Sequence, residues 1–491
     1  MTEKLFSAVR EHIQSEMTHA SIPGFAVGVA REGEVLWEEA FGWADRDRRI
    51  PADEHTMFSL ASISKPITTT GLMKLVEQGK IDLDQPVNEY LSKDSQLKIW
   101  IGDPDDVSVR RVANHTSGLP LHYHFFSEKG ASKPLMEESI RRYGNVVCPP
   151  GERYRYSNIG YGILDHLIER VSGMSYAEFM RREVFLPLGM TRASVNIGPG
   201  LEAFHAQRYT DAGLALPFYD FDHPGASAVF CSVHDLLRFG MFHLKQRLPD
   251  QNAILSEESI DAMQVPTADQ GKGNPNGSTP RPTSKYGVGW VIDDDELGLR
   301  ISHRGGMGGV STKLLMLPRE RIVIVTLANL FHPLAYTVDA DILSALIPGF
   351  GSKSAEIRAS LESPGTDESD DTFEPVTELL GDWAGTVHTW QGEHPLQISF
   401  KPSGDIHARL SDQMWTLIND AQFEDARLTG KMQGDIGTED TTRCRHHLHL
   451  DLMLRDGVLN GTLHAMSHGC ELGYALGHWC EVRRLLQNSS T

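Results

Sequence analysis

Ser62-Ile63-Ser64-Lys65 sets a hydroxyl and an amine three residues apart. Residues three apart on a helix share a face, so a helix beginning here stacks the Lys65 ammonium beside the Ser62 hydroxyl. A serine is a poor nucleophile until a nearby group takes its proton. A lysine in a closed, partly desolvated site can have its pKa lowered enough to help. The tetrad recurs as Ser95-Gln96-Leu97-Lys98, and context separates the two. Ser95 lies in a polar connection. Ser62 follows the apolar entry Met57-Phe58-Ser59-Leu60-Ala61 and precedes Ile67, Leu72, Met73, Leu75 and Val76, close to helical spacing. Pro66 suits a first helical turn, and Gly79 stops the helix. Taken alone, Ser62 reads as a helix cap or a small packing residue.

Two further motifs reverse that balance. Tyr156-Ser157-Asn158 stands at the mouth of an amphipathic helix carrying Ile159, Ile163, Leu164, Leu167, Ile168 and Val171, closed by Gly173. It can present a phenol and an amide to one cleft; Tyr143-Gly144-Asn145 has the same spacing but no helix behind it. His303-Arg304-Gly305-Gly306 is expected to close a strand (299–302) and to precede another (310–317). The rival His223-Pro224-Gly225 has no apolar strand leading into it.

Ser62-x-x-Lys65, Tyr156-x-Asn158 and His303-x-Gly305, in this order, resemble the penicillin-recognising serine hydrolases. That superfamily includes class C β-lactamases, D,D-carboxypeptidases, esterases and D-aminopeptidases. The segments Ile22–Val29, His115-Thr116-Ser117-Gly118-Leu119, Phe185–Met190 and Tyr286-Gly287-Val288-Gly289-Trp290 also look like the family, over roughly residues 1–350. The resemblance implies an acyl-enzyme on Ser62, with Lys65 and Tyr156 sharing the base role. Tyr156, kept anionic or readily deprotonated by nearby positive charge, would also protonate the leaving group. Asn158 would position Lys65 or the substrate amide, His303 would shape the pocket with Gly305, and the N–H groups of Ser62 and Gly306 would form the oxyanion hole. No metal or organic cofactor is implied. β-Lactamases carry Lys-Thr-Gly where this chain has His303-Arg304-Gly305, and the histidine looks more like the D-aminopeptidase and esterase branches. The implied substrate is a short peptide or amide, with a D-residue at the scissile bond or of the linear non-ribosomal type. A carboxylesterase, a β-lactamase and a non-catalytic binding protein on the same fold are the alternatives.

The elements that must hold these groups make an α+β fold: an antiparallel, β-lactamase/transpeptidase-like sheet flanked by helices. A helix is expected over residues 4–17, a hairpin from Phe25–Ala30 and Val35–Phe41, strands at 286–292, 299–303, 310–317 and 321–327, and a last helix from Tyr336 to Leu346. N-terminal and late strands must pair to make one sheet. Residues 270–285 read as a long polar loop. Residues 351–373, rich in Ser, Glu, Asp, Gly and Pro, read as a linker. From 374 to 491 the pattern is nearly all β, and Leu379-Leu380-Gly381-Asp382-Trp383 looks like the first strand of a lipocalin-like barrel. Such a barrel would cover the active-site mouth or mediate assembly, leaving a homo-oligomer open.

The 491 residues carry a formal charge of −20, which argues against nucleic-acid or anionic-membrane partners. The N-terminus lacks the n- and h-regions of a signal peptide, so a cytoplasmic location is expected, or a periplasmic one if the chain has been trimmed. Five cysteines make a sparse, odd set, and free thiols are the default. His446, His447 and His449 with Cys444, and the His468-x-Cys470 and His478-x-Cys480 pairs, raise a metal site, but their spacing fits no standard zinc motif. The aromatic run His122-Tyr123-His124-Phe125-Phe126 suits either a cleft lining or a packed lid.

Overall fold

In a computed structural model the described residues are 2–127, 132–271, 284–352, 376–470 and 472–485. The expected polar loop and linker fall largely outside them. One sheet, built from N-terminal and late strands, has nine strands among the described residues, all joined antiparallel. The hairpin Gly24–Arg31 (β1) and Glu34–Asp45 (β2) lies toward one edge of it, laid against the late strands. The late strands run Gly298–Met307 (β3), Val310–Leu317 (β4) and Ile322–Ala328 (β5), in the order β3-β4-β5-β1-β2.

β1, β4 and β5 are buried almost throughout because both faces are covered. Val27, Val29 and Ile324 pack with Val9 and Ile13 of the helix Ser7–His19 and with Ile342 of the helix Asp339–Leu346. Ala26, Ala30, Val323 and Val325 face the other way, toward Leu236 and Leu237 of the helix Val233–His243. The last expected helix is broken in two, Leu334–Thr337 and Asp339–Leu346.

The C-terminal strands form a second antiparallel sheet that curls into a nearly closed barrel. Its long strands His446–Arg455 (β6), Val458–Ser467 (β7) and Tyr474–Arg484 (β8) are consecutive neighbours. Trp383, Leu396, Ile398, Leu450, Leu452 and Leu463 fill its interior. Cys444 and Cys470 are joined in a disulfide, which corrects the free-thiol expectation for that pair; Cys148, Cys231 and Cys480 are buried free thiols. No helix among the described residues is long and apolar enough to cross a membrane.

Candidate active site

Ser62 lies in a 3-10 turn, Ala61–Ile63, and the α-helix begins two residues after it, at Ser64–Glu77. Ala61 is held at a φ of 47°. A non-glycine residue in that region stores roughly 1–3 kcal/mol and persists only where its surroundings dictate it. Those surroundings are β3 and β4. Thr312 Oγ1 donates to the Leu60 carbonyl at 2.8 Å. A Cβ at Gly305 would fall well inside contact distance of that same carbonyl. Gly305 is therefore the position at which the sheet approaches the nucleophile turn. His303-Arg304-Gly305-Gly306 does not close a strand as expected; β3 runs on through all four residues to Met307.

Lys65 is fully buried. Its Nζ lies 3.1 Å from Ser62 Oγ, 2.8 Å from Asn158 Oδ1 and 3.1 Å from the Ala226 carbonyl oxygen. Burial drives its pKa well below the usual lysine range. Asn158 opens the helix Asn158–Ser172, capped by the Ser157 hydroxyl. The Asn158 amide is oriented without ambiguity: Oδ1 faces Lys65 and Nδ2 donates to the His122 carbonyl at 2.6 Å. The Ala226 carbonyl is steadied by its neighbour, since Gly225 N–H donates to the buried Asp165 carboxyl at 2.6 Å.

Tyr156 places its ring 4.7 Å from Lys65 Nζ, and its phenol is hydrogen-bonded to Ser62. Burial pushes that phenol up, and the hydrogen bond to Ser62 only partly opposes the shift. The expectation of an anionic or easily ionised phenol is thereby corrected. His115, absent from the sequence-derived site except as part of a family segment, stacks 4.4 Å from Tyr156 and accepts the Ser157 N–H on Nδ1 at 3.1 Å. His303 is buried with both nitrogens engaged. Nδ1 is 2.8 Å from the Arg304 carbonyl, which it can only serve as a donor, so Nε2 accepts from the Tyr286 hydroxyl at 2.9 Å. Burial, with the Lys65 charge adding to it, pushes its pKa down to about 3. Arg304 is exposed on the opposite side of the strand, over the Tyr336 ring. Beyond Gly306 an open cleft of ≈ 410 Å³ is lined by Met307, Thr210, Asp211 and Phe331.

The decoys lie elsewhere. Ser95 is buried against Ser92 while Lys98 is exposed, and Tyr143 donates to Asp440. His122 and His223 join Asp222, the one trio among the described residues whose ligand atoms cluster as a metal site would. The Asp222 oxygens lie 2.9 Å from His122 Nε2 and 2.6 Å from His223 Nδ1, and accept the Ser139 hydroxyl at 2.9 Å. These are direct hydrogen-bond lengths, and the carboxylate is satisfied by them. The aromatic run is packed: Tyr123–Ser127 forms a strand that pairs with β8 of the barrel.

The profile of the family described as Beta-lactamase matches residues 9–347. Penicillin-binding protein 4* of Bacillus subtilis (strain 168) is 30% identical over 61% of this chain and 66% of its own length. Protein flp of Staphylococcus aureus (strain MRSA252) is 23% identical over 65% of this chain and 62% of its own length. The chain thus spans less than two thirds of the length of these curated relatives. Among solved structures, the octameric penicillin-binding protein homologue from Pyrococcus abyssi superposes with a TM-score of 0.59 at 20% identity, over 96% of this chain and 99% of that one. A class C β-lactamase gives 0.59 at 23% identity, over 70% and 96%.

Proposed function

The chain belongs to the β-lactamase family, and we propose that it is a serine hydrolase that cleaves amide bonds of short peptides through a Ser62 acyl-enzyme. In this reading residues 1–350 are the hydrolase domain, 351–373 a linker and 374–491 a separate barrel domain. One observation carries the chemistry. Lys65 Nζ has three neighbours, of which the Asn158 and Ala226 oxygens can only accept. A neutral amine has two N–H donors and one lone pair. In that form, which burial favours, it would satisfy both acceptors and turn its lone pair to the Ser62 hydroxyl, 3.1 Å away. Lys65 is then the base that frees the nucleophile. Tyr156, protonated, gives its proton to the leaving nitrogen and recovers one from Lys65. The N–H groups of Ser62 and Gly306 hold the developing oxyanion, a contribution of about 3–4 kcal/mol per donor in comparable sites.

The substrate class follows from His303. A neutral, doubly hydrogen-bonded imidazole offers no cation to a penicillin carboxylate, and Arg304 points away from it. A peptide with a D-residue at the scissile bond, including linear non-ribosomal peptides, fits such a pocket better than a β-lactam. The open cleft beyond Gly306 has room for a short chain. The Pyrococcus abyssi homologue is described as octameric, and self-assembly is part of the proposal. The test is a panel of D-aminoacyl anilides, short peptides, p-nitrophenyl esters and a chromogenic cephalosporin, run with Ser62→Ala as control. The best peptide or ester is expected to exceed any penicillin or cephalosporin in kcat/KM by about a hundredfold, the scale of one lost charged contact. Efficient penicillin turnover that collapses in Arg304→Ala would move the protein to the β-lactamase reading. Failure of a fluorophosphonate to label Ser62 would leave a binding protein.

A further inference from the structure

The barrel grips the segment that carries Tyr156 and Asn158, and also the strand that follows His122, whose carbonyl holds the Asn158 amide. Asp451 of β6 is buried among three guanidiniums. Its Oδ2 accepts from Arg155 Nη1 at 2.6 Å; its Oδ1 accepts from Arg427 Nε at 2.7 Å and from Arg153 Nη2 at 3.3 Å. Arg155 Nη2 continues to the Thr462 hydroxyl of β7 at 3.0 Å. Arg155 directly precedes Tyr156, and its own N–H is tied to the His115 carbonyl at 2.7 Å. Successive side chains of an extended segment point to opposite sides. Arg155 therefore reaches into the barrel while Tyr156 reaches Ser62. Burial alone would push the Asp451 carboxyl up, but Arg155, Arg153 and Arg427 outweigh it and hold the group well below the usual carboxylate range. Asp451 and Arg155 are almost dry, while Arg153 and Arg427 reach partly into solvent.

A second tether serves Asn158. His122, whose carbonyl takes the Asn158 amide, leads into the strand Tyr123–Ser127. That strand pairs with β8 through His124↔Tyr474 and Tyr123↔Ala475. Arg443 Nη1 also donates to the Phe125 carbonyl at 3.0 Å.

We infer that Asp451 is a positioning residue for the hydrolase: through Arg155 it fixes the loop that aims the Tyr156 phenol at Ser62, so the barrel is a working part of the active site. The inference rests on the proposed proton-carrying role of Tyr156. A flexible loop would leave the phenol off its line to the nucleophile, and misplacement of about 1 Å can cost a hundredfold in rate.

The test is a double-mutant cycle in the full-length chain, read by kcat and KM on a D-aminoacyl anilide, whose leaving nitrogen needs the proton that Tyr156 carries. Asp451→Asn is expected to lower kcat about tenfold with KM little changed. In a Tyr156→Phe background it should cost less than twofold, because no phenol remains to be aimed. Asp451→Asn strands buried guanidiniums and could fail to fold. Thr462→Val therefore runs alongside it, removing a single acceptor of Arg155; about threefold loss is expected, again absent in Tyr156→Phe. Asp440→Asn, which breaks the barrel's contacts to Arg142 and Tyr143 away from this loop, should leave kcat on the anilide unchanged. Equal losses in the wild-type and Tyr156→Phe backgrounds, or no loss in either barrel variant, would overturn the inference. A Tyr156→Phe enzyme as fast as wild type would instead overturn the proton-carrier role on which it rests.

Discussion

Lys65→Met separates the chemistry of the buried amine from its effect on stability. Methionine keeps an unbranched apolar stem and deletes Nζ with its three contacts to Ser62, Asn158 and Ala226. Loss of a general base typically costs about 10²–10⁴ in rate, or about 2.7–5.4 kcal/mol of barrier. Two buried acceptors also lose their donor, a destabilisation of about 1–3 kcal/mol each. An opposing effect comes from the amine itself. Burial holds its folded-state pKa well below that of the unfolded chain. The unfolded chain therefore binds a proton that the folded one lacks, and each unit of depression penalises folding by about 1.4 kcal/mol. The sign follows from linkage. The penalty is fully present below the folded pKa and vanishes above the unfolded value of about 10.4. Methionine removes it. The melting temperature of Lys65→Met relative to wild type should therefore be more favourable at pH 6 than at pH 10, while fluorophosphonate labelling falls at least about a hundredfold. Labelling within tenfold of wild type would mean that another group takes the proton. A melting difference independent of pH would mean that the folded protein does not depress this lysine.

Ser62→Ala should abolish turnover and leave the melting temperature within a few degrees, whereas Ser95→Ala should keep its turnover; activity and thermal melts of both decide between the two tetrads. Gly305→Ala drives a Cβ into the Leu60 carbonyl, so a loss of about 1–3 kcal/mol of stability is expected together with a large fall in kcat, measured by denaturant unfolding and ester hydrolysis. Full activity in that variant would show that β3 need not approach the nucleophile turn so closely. Cys444→Ser opens a crosslink spanning 26 residues, for which the chain-entropy estimate is about 3.5 kcal/mol; an unfolding transition unmoved by the substitution, or by reductant, would show that the barrel does not depend on it.

The candidate site residues that the structure brings together, Ser62, Lys65, Tyr156 and Asn158, could be picked out because each motif sits where apolar periodicity changes. Ser62 and Ser95 share a spacing, but only Ser62 has a buried run before it and a helical run behind it. The same logic separated Tyr156 from Tyr143 and His303 from His223. Strand pairing across the chain was legible too, since a continuous apolar run such as β5 must be covered on both faces and needs partners. Other features carried no residue-type signal. The carbonyls of Ala226 and His122 are backbone atoms, and any sequence supplies them. Gly305-Gly306 reads as the end of a strand, because glycine weakens strands; its real cause is the close approach of Leu60, which only the folded chain reveals. Cys444 meets Cys470 because the barrel strands bring them together. Arg155 meets Asp451 across 296 residues for the same reason.

The protonation states of the site follow from its dryness. The cation beside Tyr156 suggested an ionised phenol, the usual effect of a neighbouring opposite charge. Desolvation acts on both partners, however. It disfavours the ammonium and the phenolate alike, and here it is the largest influence on each. Burial thus favours a neutral amine beside a neutral phenol. Of the two, only the amine can accept the Ser62 proton without first losing one, and only the phenol can donate to a leaving group without first gaining one. On the proposed mechanism, the same burial that silences His303 as a cation suits Lys65 to the base role and Tyr156 to the acid role. A charged residue introduced at the site, as in His303→Lys, should disturb this division: it would favour a tyrosinate, move the pH–rate profile to lower pH and raise the affinity for carboxylate-bearing substrates. A His303→Lys enzyme that folds, with the wild-type pH–rate profile and no gain in binding of a penicillin, would show that the charge state of this position does not govern the site.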